Sequence, residues 1–339
     1  MSAPINGTVE KSYVPGAELW CQEDETAITE PYTYVNSMPG KDVRGRFIEA
    51  ANHWLHVEPE PLAVICKIVA MLHNASLVID DIEDNSQLRR GQPVAHKIYG
   101  LAQAINSANY VYFLALKEAD QLKPYQREGY NSHEIILGAL TSVSDFAAQD
   151  LLYSVFSDEL VNLHRGQGLE LVWRDSLRCP TEEQYIDMVN KKTGGLFRLA
   201  IKLLTACSSN PSTIDYVPLF NLFGVFFQIR DDLMNLDDNE YEKNKGFAED
   251  LTEGKFSFPV IHGITAQKDN SVLINVLQKR PTTPPLKLHA IHHLRNNTGS
   301  FKYTETILNS LETRLRGEID ALGGNPGLLK LVDLLSVRK

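Results

Sequence analysis

The sequence predicts an all-α protein that folds as a single domain. Apolar residues recur at three- and four-residue spacing along its longer segments, which is the period of an amphipathic helix. Alternating period-two runs bounded by hairpin turns are absent, and no Gly/Ser-rich linker divides the 339 residues. We therefore expect one helical domain of ten or more helices.

Proline and glycine separate the predicted helices along the chain. The periodic segments run over 61–79, 101–116, 135–164, 181–207, 217–236 and 304–322. Breakers such as Gly91-Gln92-Pro93 and Asn210-Pro211 fall between them. The first 25 residues lack the apolar core of a secretory signal. We expect a flexible N-terminal tail over 1–25 and the helical domain over 26–339.

Composition argues against several classes of protein. The net charge is −10 and no long Lys/Arg block is present, which argues against binding to nucleic acid. The four cysteines are scattered without a CxxC pair, so neither a disulfide framework nor a zinc knuckle is expected. No run reaches the roughly 18 to 20 apolar residues of a membrane span. We expect a cytoplasmic protein.

Two acidic clusters each end a long apolar segment. They share the spacing i, i+1 and i+4, as Asp80, Asp81 and Asp84 and again as Asp231, Asp232 and Asn235. At about 100° per residue, this spacing puts each cluster on one face of a helix. A solvated helix end explains either cluster alone, but the repetition indicates two walls of one cavity. Carboxylate oxygens suit Mg²⁺, which binds a few of them together with substrate phosphates.

Cationic residues accompany both clusters. Arg89 and Arg90 follow the first, Lys245 and Lys255 follow the second, and Lys192 begins the stretch KTGG midway between them. Acids that hold a metal, flanked by cations, can bind a diphosphate without a glycine-rich loop. The sequence therefore predicts a site for phosphorylated substrates.

Six motifs, standing in one order, carry a resemblance to a known family. They are PGKDVR (39–44), LHNASLVIDDIEDNSQLRRGQPVAH (72–96), HRGQGLEL (164–171), KKTGGLF (191–197), FQIRDDLMN (227–235) and NKGFAEDLTEGKFSFP (244–259). The chain resembles the trans-prenyltransferases, or isoprenyl diphosphate synthases, and within them is most similar to the geranylgeranyl diphosphate synthases of fungi and animals. This resemblance implies an isoprenoid-synthase helical bundle that surrounds a central apolar cavity.

The resemblance also implies roles for individual residues. The metal ligands would be Asp80, Asp84 and Asp231, which would hold three Mg²⁺ ions per active site, with Asp81 in support and Asp232 and Asn235 acting through water. The residues that would grip the allylic diphosphate are Arg89, Lys192, Thr193, Gln228, Lys245 and Lys255. Those that match the site for isopentenyl diphosphate are Lys41, Arg44, His73 and Arg90. A lone histidine on a helix is more often structural, so the role of His73 depends most on this match.

The implied reaction joins isopentenyl diphosphate to an allylic diphosphate. The preferred acceptor would be farnesyl diphosphate, with dimethylallyl or geranyl diphosphate also accepted, and the product would be geranylgeranyl diphosphate. Magnesium and cations stabilise the leaving diphosphate while the allylic carbon–oxygen bond ionises, the isopentenyl double bond attacks, and a proton is lost. The catalytic residues would be Asp80, Asp81, Asp84, Arg89, Lys192, Thr193, Asp231, Lys245 and Lys255.

Other functions stay open at this stage. A class I terpene cyclase would share the helical bundle and the first acidic motif, but its second motif, N-D-x-x-S-x-x-x-E, is absent. A non-catalytic partner subunit would lose one acidic motif, and both are present here. Two positions depart from the family pattern, because Asn235 replaces an acid and Glu170 stands where many relatives have Asp. Neither is read as inactivating.

Product length depends on the floor of the cavity. Ala75 and Ser76 are small and lie just before the first acids, so the pocket should stay open past fifteen carbons. Tyr112, Phe113 and His164 resemble the deeper barrier of twenty-carbon synthases, and ordinary core packing is the alternative reading. Synthases of fifteen or twenty-five carbons are the nearest competing predictions.

Assembly is a further expectation from the resemblance. It implies a homodimer, or a hexamer as in close relatives. The segment 101–116 is nearly free of charge, as a helix buried between subunits would be, although a central core helix would look the same.

Overall fold

Helices make up nearly all the regular structure of the computed structural model, which describes residues 20–40, 42–126, 147–210, 214–237 and 246–337. The first helices are α1 (Gln22–Ser37), α2 (Val43–Leu55), α3 (Pro59–Glu83), α4 (Ala95–Tyr99) and α5 (Leu101–Glu118), followed by a 3-10 helix over Ala119–Tyr125. The long central helices are α6 (Ala147–Asp175), α7 (Glu182–Ala206) and α8 (Val217–Asp237). The last are α9 (Glu249–Glu253), α10 (Phe258–Ala266), α11 (Val272–Lys279), α12 (Pro284–His292), a π-helix over His293–Asn297, α13 (Ser300–Ala321) and α14 (Pro326–Leu335). The all-α prediction is confirmed.

The predicted helical segments correspond to helices in the structure. The matches are 61–79 with α3, 101–116 with α5, 181–207 with α7, 217–236 with α8 and 304–322 with α13. The segment 135–164 begins outside the described residues and is helical from Ala147 onward. Helix α6 then continues to Asp175, so the glycines of HRGQG do not interrupt it.

A short hairpin follows the first acidic cluster and was not predicted. Strand β1 (Leu88–Arg89) pairs antiparallel with β2 (Gln92–Pro93). The two residues between them, Arg90 and Gly91, both have positive φ, 53° and 77°, as a tight hairpin turn requires. Strands of two residues carry no readable period, so the sequence pattern could not reveal them. The turn brings Arg89 back against the end of α3.

The start of α7 is fixed by its own sequence. The Thr181 hydroxyl accepts a hydrogen bond from the Gln184 N–H at 3.2 Å, and the Gln184 side chain accepts one from the Thr181 N–H at 3.0 Å. This capping box satisfies two backbone donors that the first turn leaves without partners. The helix begins there, and the KTGG stretch follows about three turns later.

Aromatic packing joins α2 to α7 and α8. The Phe47 ring lies 4.8 Å from that of Phe197 and 4.5 Å from those of Phe220 and Phe223, measured between centroids. All four rings are buried. Edge-on and tilted pairs of this kind add about 0.5–1.5 kcal/mol each to the stability gained from burial. This cluster anchors α2, which carries Arg44.

Glycines let the central helices touch. A Cβ built on Gly166 of α6 would lie 2.4 Å from the backbone nitrogen of Lys192 in α7, closer than any side chain can approach. A Cβ on Gly224 of α8 would lie 3.3 Å from the Cα of Gly194 in α7. The backbones of α6, α7 and α8 are therefore in near contact at the level of Lys192.

Helix α3 is the one described helix long and apolar enough to cross a membrane by length and composition. A core helix of a globular protein passes the same test, and α3 packs against α1, α5 and α7. Its last turn carries the acids of the central cavity. No membrane span is evident from these features.

The domain boundary stays a prediction. Helix α1 begins at Gln22, four residues before the predicted start of the domain. The Tyr110 hydroxyl donates to Glu25 at 2.8 Å, so this helix is tied to α5.

Candidate active site

Four long helices surround a cavity of about 610 Å³. Helix α3 and helix α8 supply one acidic cluster each, and α6 and α7 close the remaining sides. The predicted site residues that line this cavity are Arg44, His73, Ser76, Asp80, Asp84, Arg89, Arg90, Tyr112, His164, Lys192, Thr193, Gln228, Asp231 and Lys255. Lys41 and Lys245 lie outside the described residues. The structure therefore brings most of the predicted residues together around one space.

Asp80 and Asp84 face the cavity from the end of α3. The Asp80 carboxylate accepts hydrogen bonds from Gln167 at 3.2 Å and from Lys192 at 3.3 Å. Asp84 accepts one from Arg174 at 2.6 Å. Burial raises the pKa of Asp84 well above its usual value, and the negative charge of nearby Asp80 raises it further. A divalent cation between these acids would relieve both effects.

Asp81 points away from the cavity. It is buried, and Arg89 holds it with Nη2 at 2.5 Å and Nε at 3.0 Å from Oδ1. The same guanidinium reaches Asp80 at 3.5 Å. Because the hairpin fixes Arg89 from one side and Asp81 from the other, its guanidinium is held at the cavity wall. Asp81 thus acts on the site through Arg89.

The second acidic cluster divides in the same way. Asp231 lines the cavity, whereas Asp232 and Asn235 are buried and do not. Asp232 accepts hydrogen bonds from Tyr185, Gln228, Lys255 and the Phe258 N–H. The Asn235 side-chain oxygen accepts one from the Asp250 N–H at 3.1 Å. Protein donors thus contact the side-chain oxygens of both residues, and their action through water stays a prediction.

Two lysines are held by acids on the walls between the clusters. Lys192 Nζ lies 2.5 Å from Glu170 and 3.3 Å from Asp80. Lys255 Nζ lies 3.3 Å from Asp232 and 3.9 Å from Glu170. Burial lowers the pKa of each lysine, but the surrounding carboxylates outweigh it and raise both above the usual value. Burial likewise opposes ionisation of Glu170, yet the two lysines lower its pKa. All three groups are therefore charged at neutral pH.

Thr193 and Gln228 complete this wall. The Thr193 hydroxyl donates to the Gln228 side-chain oxygen at 2.7 Å, and the Gln228 amide donates to Asp232 at 2.9 Å. The chain of donors orients the Gln228 amide, whose O and N positions follow from it. Both residues line the cavity.

A second cationic end lies beside α2. Arg44 Nη1 donates to His73 Nε2 at 2.9 Å. Burial and then the positive charge of Arg44 lower the pKa of His73 well below its usual value, so its ring is neutral. Burial lowers the pKa of Arg44 to about 10, and its guanidinium lies over the rings of Phe197 and Phe227. Arg90 donates to the Met38 carbonyl at 2.9 Å. The three side chains form a pocket suited to an anion.

The apolar end of the cavity is bounded by Tyr112 and His164. Their ring centroids lie 5.7 Å apart, and both also line a separate groove of about 630 Å³ between α5 and α6. Phe113 lines only that groove and is 70% exposed. Ser76 lines the cavity, whereas Ala75 is fully buried behind it. Of the predicted floor residues, Tyr112, His164 and Ser76 therefore face the cavity.

Sequence reasoning missed several residues at the site. Gln167 and Arg174 contact Asp80 and Asp84 from α6, and Glu253 lines the cavity opposite them. Gln167 belongs to the HRGQG motif, which was a usable signal. No sequence signal identified Arg174 or Tyr185, because helical periodicity predicts only which face of a helix a residue occupies.

The donor set of the two walls fits magnesium. No three His, Cys, Asp or Glu side chains within the described residues form a complete metal site by themselves. Asp80 and Asp84 at the end of α3 and Asp231 on α8 offer carboxylate oxygens to the same cavity. Mg²⁺ is bound in this manner, by one or two carboxylates with water and substrate phosphates completing its shell.

Comparisons with known proteins agree with this geometry. The polyprenyl synthetase family model matches residues 25–294. The chain is 50% identical over 313 residues to the geranylgeranyl pyrophosphate synthase of Mucor circinelloides f. lusitanicus, covering 92% of this chain and 94% of the relative. It is 48% identical to the geranylgeranyl pyrophosphate synthase of Fusarium fujikuroi, covering 94% and 71%. It is also 44% identical to IDS-like terpene synthase 1 of Melampsora lini, covering 99% and 96%.

Proposed function

The chain belongs to the polyprenyl synthetase family, and we propose that it condenses isopentenyl diphosphate with farnesyl diphosphate to give geranylgeranyl diphosphate. The observation that carries this function is a single cavity with two facing carboxylate walls, flanking cations and an apolar end. Relatives named geranylgeranyl pyrophosphate synthase, 48–50% identical over most of the chain, support it. The protein is a prenyltransferase of isoprenoid biosynthesis.

The cationic residues beside the acids suit the allylic diphosphate. Lys192, Lys255 and Arg89 are charged and face one region of the cavity. They would grip the diphosphate together with Thr193 and Gln228, and Lys245 is proposed for the same role from its motif. As the allylic carbon–oxygen bond breaks, negative charge grows on the departing oxygens, and fixed cations stabilise it without reorganising.

Magnesium is generally required in this family. Asp80, Asp84 and Asp231 would hold it, and three ions per active site is the proposed count. When bound, magnesium would supply positive charge that stabilises the leaving diphosphate. The chain's own contribution is to hold these three acids at opposite walls while Arg89, Lys192 and Lys255 stay charged between them.

The end beside α2 suits the second substrate. Arg44 and Arg90 offer positive charge, and neutral His73 accepts a hydrogen bond from Arg44 while its other ring nitrogen carries a proton to donate. With Lys41, which the motif adds, these residues would bind the diphosphate of isopentenyl diphosphate. Two anion sites in one cavity would hold the isopentenyl double bond near the allylic carbon, which is the arrangement that condensation needs.

The apolar end determines product length. Ser76 on the cavity wall is small, and the Tyr112 and His164 rings bound the apolar end. We propose a twenty-carbon product for this reason, with farnesyl diphosphate as the preferred acceptor and dimethylallyl or geranyl diphosphate as further acceptors. Apolar walls also keep water from the allylic cation, which water would convert to an alcohol.

Assembly and location are further parts of the proposal. Leu101, Ile105 and Phe113 form an exposed apolar stripe on α5, beside the groove between α5 and α6. Such a stripe fits a homodimer, or a hexamer built from dimers, because exposed apolar patches on one face favour self-association. A cytoplasmic location stays a prediction.

A terpene synthase is the second candidate, since a relative of that name matches 99% of the chain. One experiment separates the two functions. The protein is incubated with Mg²⁺, labelled isopentenyl diphosphate and farnesyl diphosphate, and the products are divided into diphosphates and free hydrocarbons. We expect labelled geranylgeranyl diphosphate. A hydrocarbon formed from farnesyl diphosphate alone would instead support the terpene synthase.

A further inference from the structure

The buried carboxylate of Asp232 has two differently used oxygens. Oδ2 accepts hydrogen bonds from the Tyr185 hydroxyl at 2.6 Å and from the Phe258 N–H at 2.8 Å. Oδ1 accepts them from Gln228 Nε2 at 2.9 Å and from Lys255 Nζ at 3.3 Å. Asp232 and Tyr185 are both almost completely buried, whereas Gln228 and Lys255 line the cavity.

Through these contacts, Asp232 connects two residues of the core to two residues that line the cavity. One oxygen is fixed by two donors of the core, and the other orients two side chains that face substrate. We infer that Tyr185 is a positioning residue, which holds Asp232 and through it the Lys255 ammonium and the Gln228 amide in place for the allylic diphosphate. This inference rests on the proposed function of the same cavity.

Tyr185 is suited to this part by its place in the fold. It lies on α7 almost two turns before Lys192, and its ring packs against that of Phe258 with centroids 5.5 Å apart. The ring is thus held by the same residue whose N–H is the second donor to Asp232. Burial raises the pKa of Tyr185 well above its usual value, and Asp232 raises it further, so the phenol keeps its proton and donates it.

Loss of the Tyr185 hydroxyl should let the Lys255 ammonium move, because other carboxylates lie near it. Lys255 lies 3.9 Å from Glu170 and 4.0 Å from Asp250, so it has two other carboxylates to approach. Without the Tyr185 hydroxyl, Oδ2 of Asp232 keeps only the Phe258 N–H as a donor, so the carboxylate can rotate and Lys255 can move towards either neighbour. Binding of the allylic diphosphate should weaken, while the end formed by Arg44, His73 and Arg90 should be unaffected.

Tyr303 supplies a matched control. Its hydroxyl also donates to a carboxylate of α7, that of Glu182 at 2.9 Å, and its ring stacks on Phe258 with centroids 6.2 Å apart. Glu182 does not line the cavity. Tyr185→Phe and Tyr303→Phe therefore remove similar tyrosine–carboxylate hydrogen bonds beside the same ring, and only the first should change substrate binding.

The experiment compares the two variants with the wild-type protein. Steady-state kinetics give KM for farnesyl and isopentenyl diphosphate and kcat, calorimetry gives the affinity for inorganic diphosphate with Mg²⁺, and thermal melting reports folding. We expect Tyr185→Phe to raise KM for farnesyl diphosphate and weaken diphosphate binding about tenfold, with KM for isopentenyl diphosphate within about twofold. Tyr303→Phe should keep wild-type KM values even where its melting temperature falls equally.

Two outcomes overturn the inference: wild-type diphosphate affinity in Tyr185→Phe, or equal losses in both tyrosine variants. Should Tyr185→Phe fail to fold, Asp232→Asn tests the other half of the contact, because it keeps the side-chain shape while removing the charge that holds Lys255. Wild-type diphosphate affinity in Asp232→Asn would also overturn the inference. A wild-type protein that makes no prenyl diphosphate refutes the proposed function instead, and calorimetry with inorganic diphosphate still tests the role of Tyr185.

Discussion

The ammonium of Lys192 lies 2.5 Å from the carboxylate of Glu170, across the junction of α6 and α7. This contact holds a partly buried cation beside Asp80. The position that departs from the family pattern, Glu170 in place of Asp, thus makes the largest of the carboxylate contributions that raise the pKa of Lys192. A longer acidic side chain still reaches the lysine here.

Replacing Lys192 should impair catalysis far more than folding. We expect Lys192→Gln to lower kcat about 100-fold, since the leaving diphosphate loses a fixed positive charge. Lys191→Gln is the matched control, because this neighbour pairs with Asp187 on the outer face of the same helix. Steady-state kinetics of purified variants give the comparison. Equal losses in both variants would show that the effect comes from α7 as a whole.

Removing a carboxylate from either acidic wall should abolish most activity. Asp80→Ala and Asp231→Ala should each lower turnover at least about 100-fold and raise the Mg²⁺ concentration needed for half-maximal rate. Asp158→Ala, an exposed acid on α6, should do neither. Rates measured across a Mg²⁺ titration check this. Near-normal turnover in Asp80→Ala would refute the metal assignment.

The neutral state of His73 predicts a pH dependence of stability. Its lowered pKa means that the unfolded chain takes up a proton near pH 6.5 that the folded protein refuses. Stability from this residue is complete above about pH 6.5 and is lost as the pH falls towards the lowered folded value. Between pH 7.5 and 5.5, wild-type protein should lose about 1 kcal/mol more than His73→Asn.

Denaturant unfolding at the two pH values measures this difference. Other histidines of lowered pKa, such as His262 and His293, are present in both proteins and cancel in the comparison. An unchanged pH slope in His73→Asn would contradict this prediction, because it would mean that folding does not change the pKa of His73.

Product length should respond to residues that face the cavity. Tyr112→Ala should open the cavity towards the groove between α5 and α6 and lengthen the product by about one five-carbon unit. Ser76→Phe should shorten the product towards fifteen carbons. Chromatography of the dephosphorylated products distinguishes these lengths. An unchanged twenty-carbon alcohol from both variants would place the floor elsewhere.

The exposed apolar stripe of α5 should mediate assembly. We expect wild-type protein to scatter light as a dimer or larger species, and Phe113→Glu to dissociate towards the 38.1 kDa chain, because a charge would be buried in the interface. Leu288→Glu is the control, since Leu288 is similarly exposed but lies on α12. Dissociation by both substitutions would point to general destabilisation.

The sequence alone predicted those features that depend on helical periodicity. The helical spacing placed Asp80 with Asp84 and gave α3 and α8 their acidic ends, and both walls are found at one cavity. Helical periodicity does not determine which side chain of a cluster points into the cavity. Asp81 and Asp232 turn away because Arg89 and Tyr185 meet them, and Tyr185 lies 47 residues from Asp232 along the chain. Contacts of that separation are set by helix packing, which one sequence does not display.

The near contact of α6, α7 and α8 at Gly166, Gly194 and Gly224 separates two properties of the enzyme. The helix backbones are in close contact there. Substitutions elsewhere in the bundle should therefore leave the spacing of the helices that carry the diphosphate-binding residues unchanged. Tyr112 and His164, by contrast, bound the apolar end of the cavity with their side chains. Substitutions at the cavity floor can therefore diversify the product while the chemistry at the other end is inherited intact. Product length and the condensation chemistry can thus evolve independently of each other.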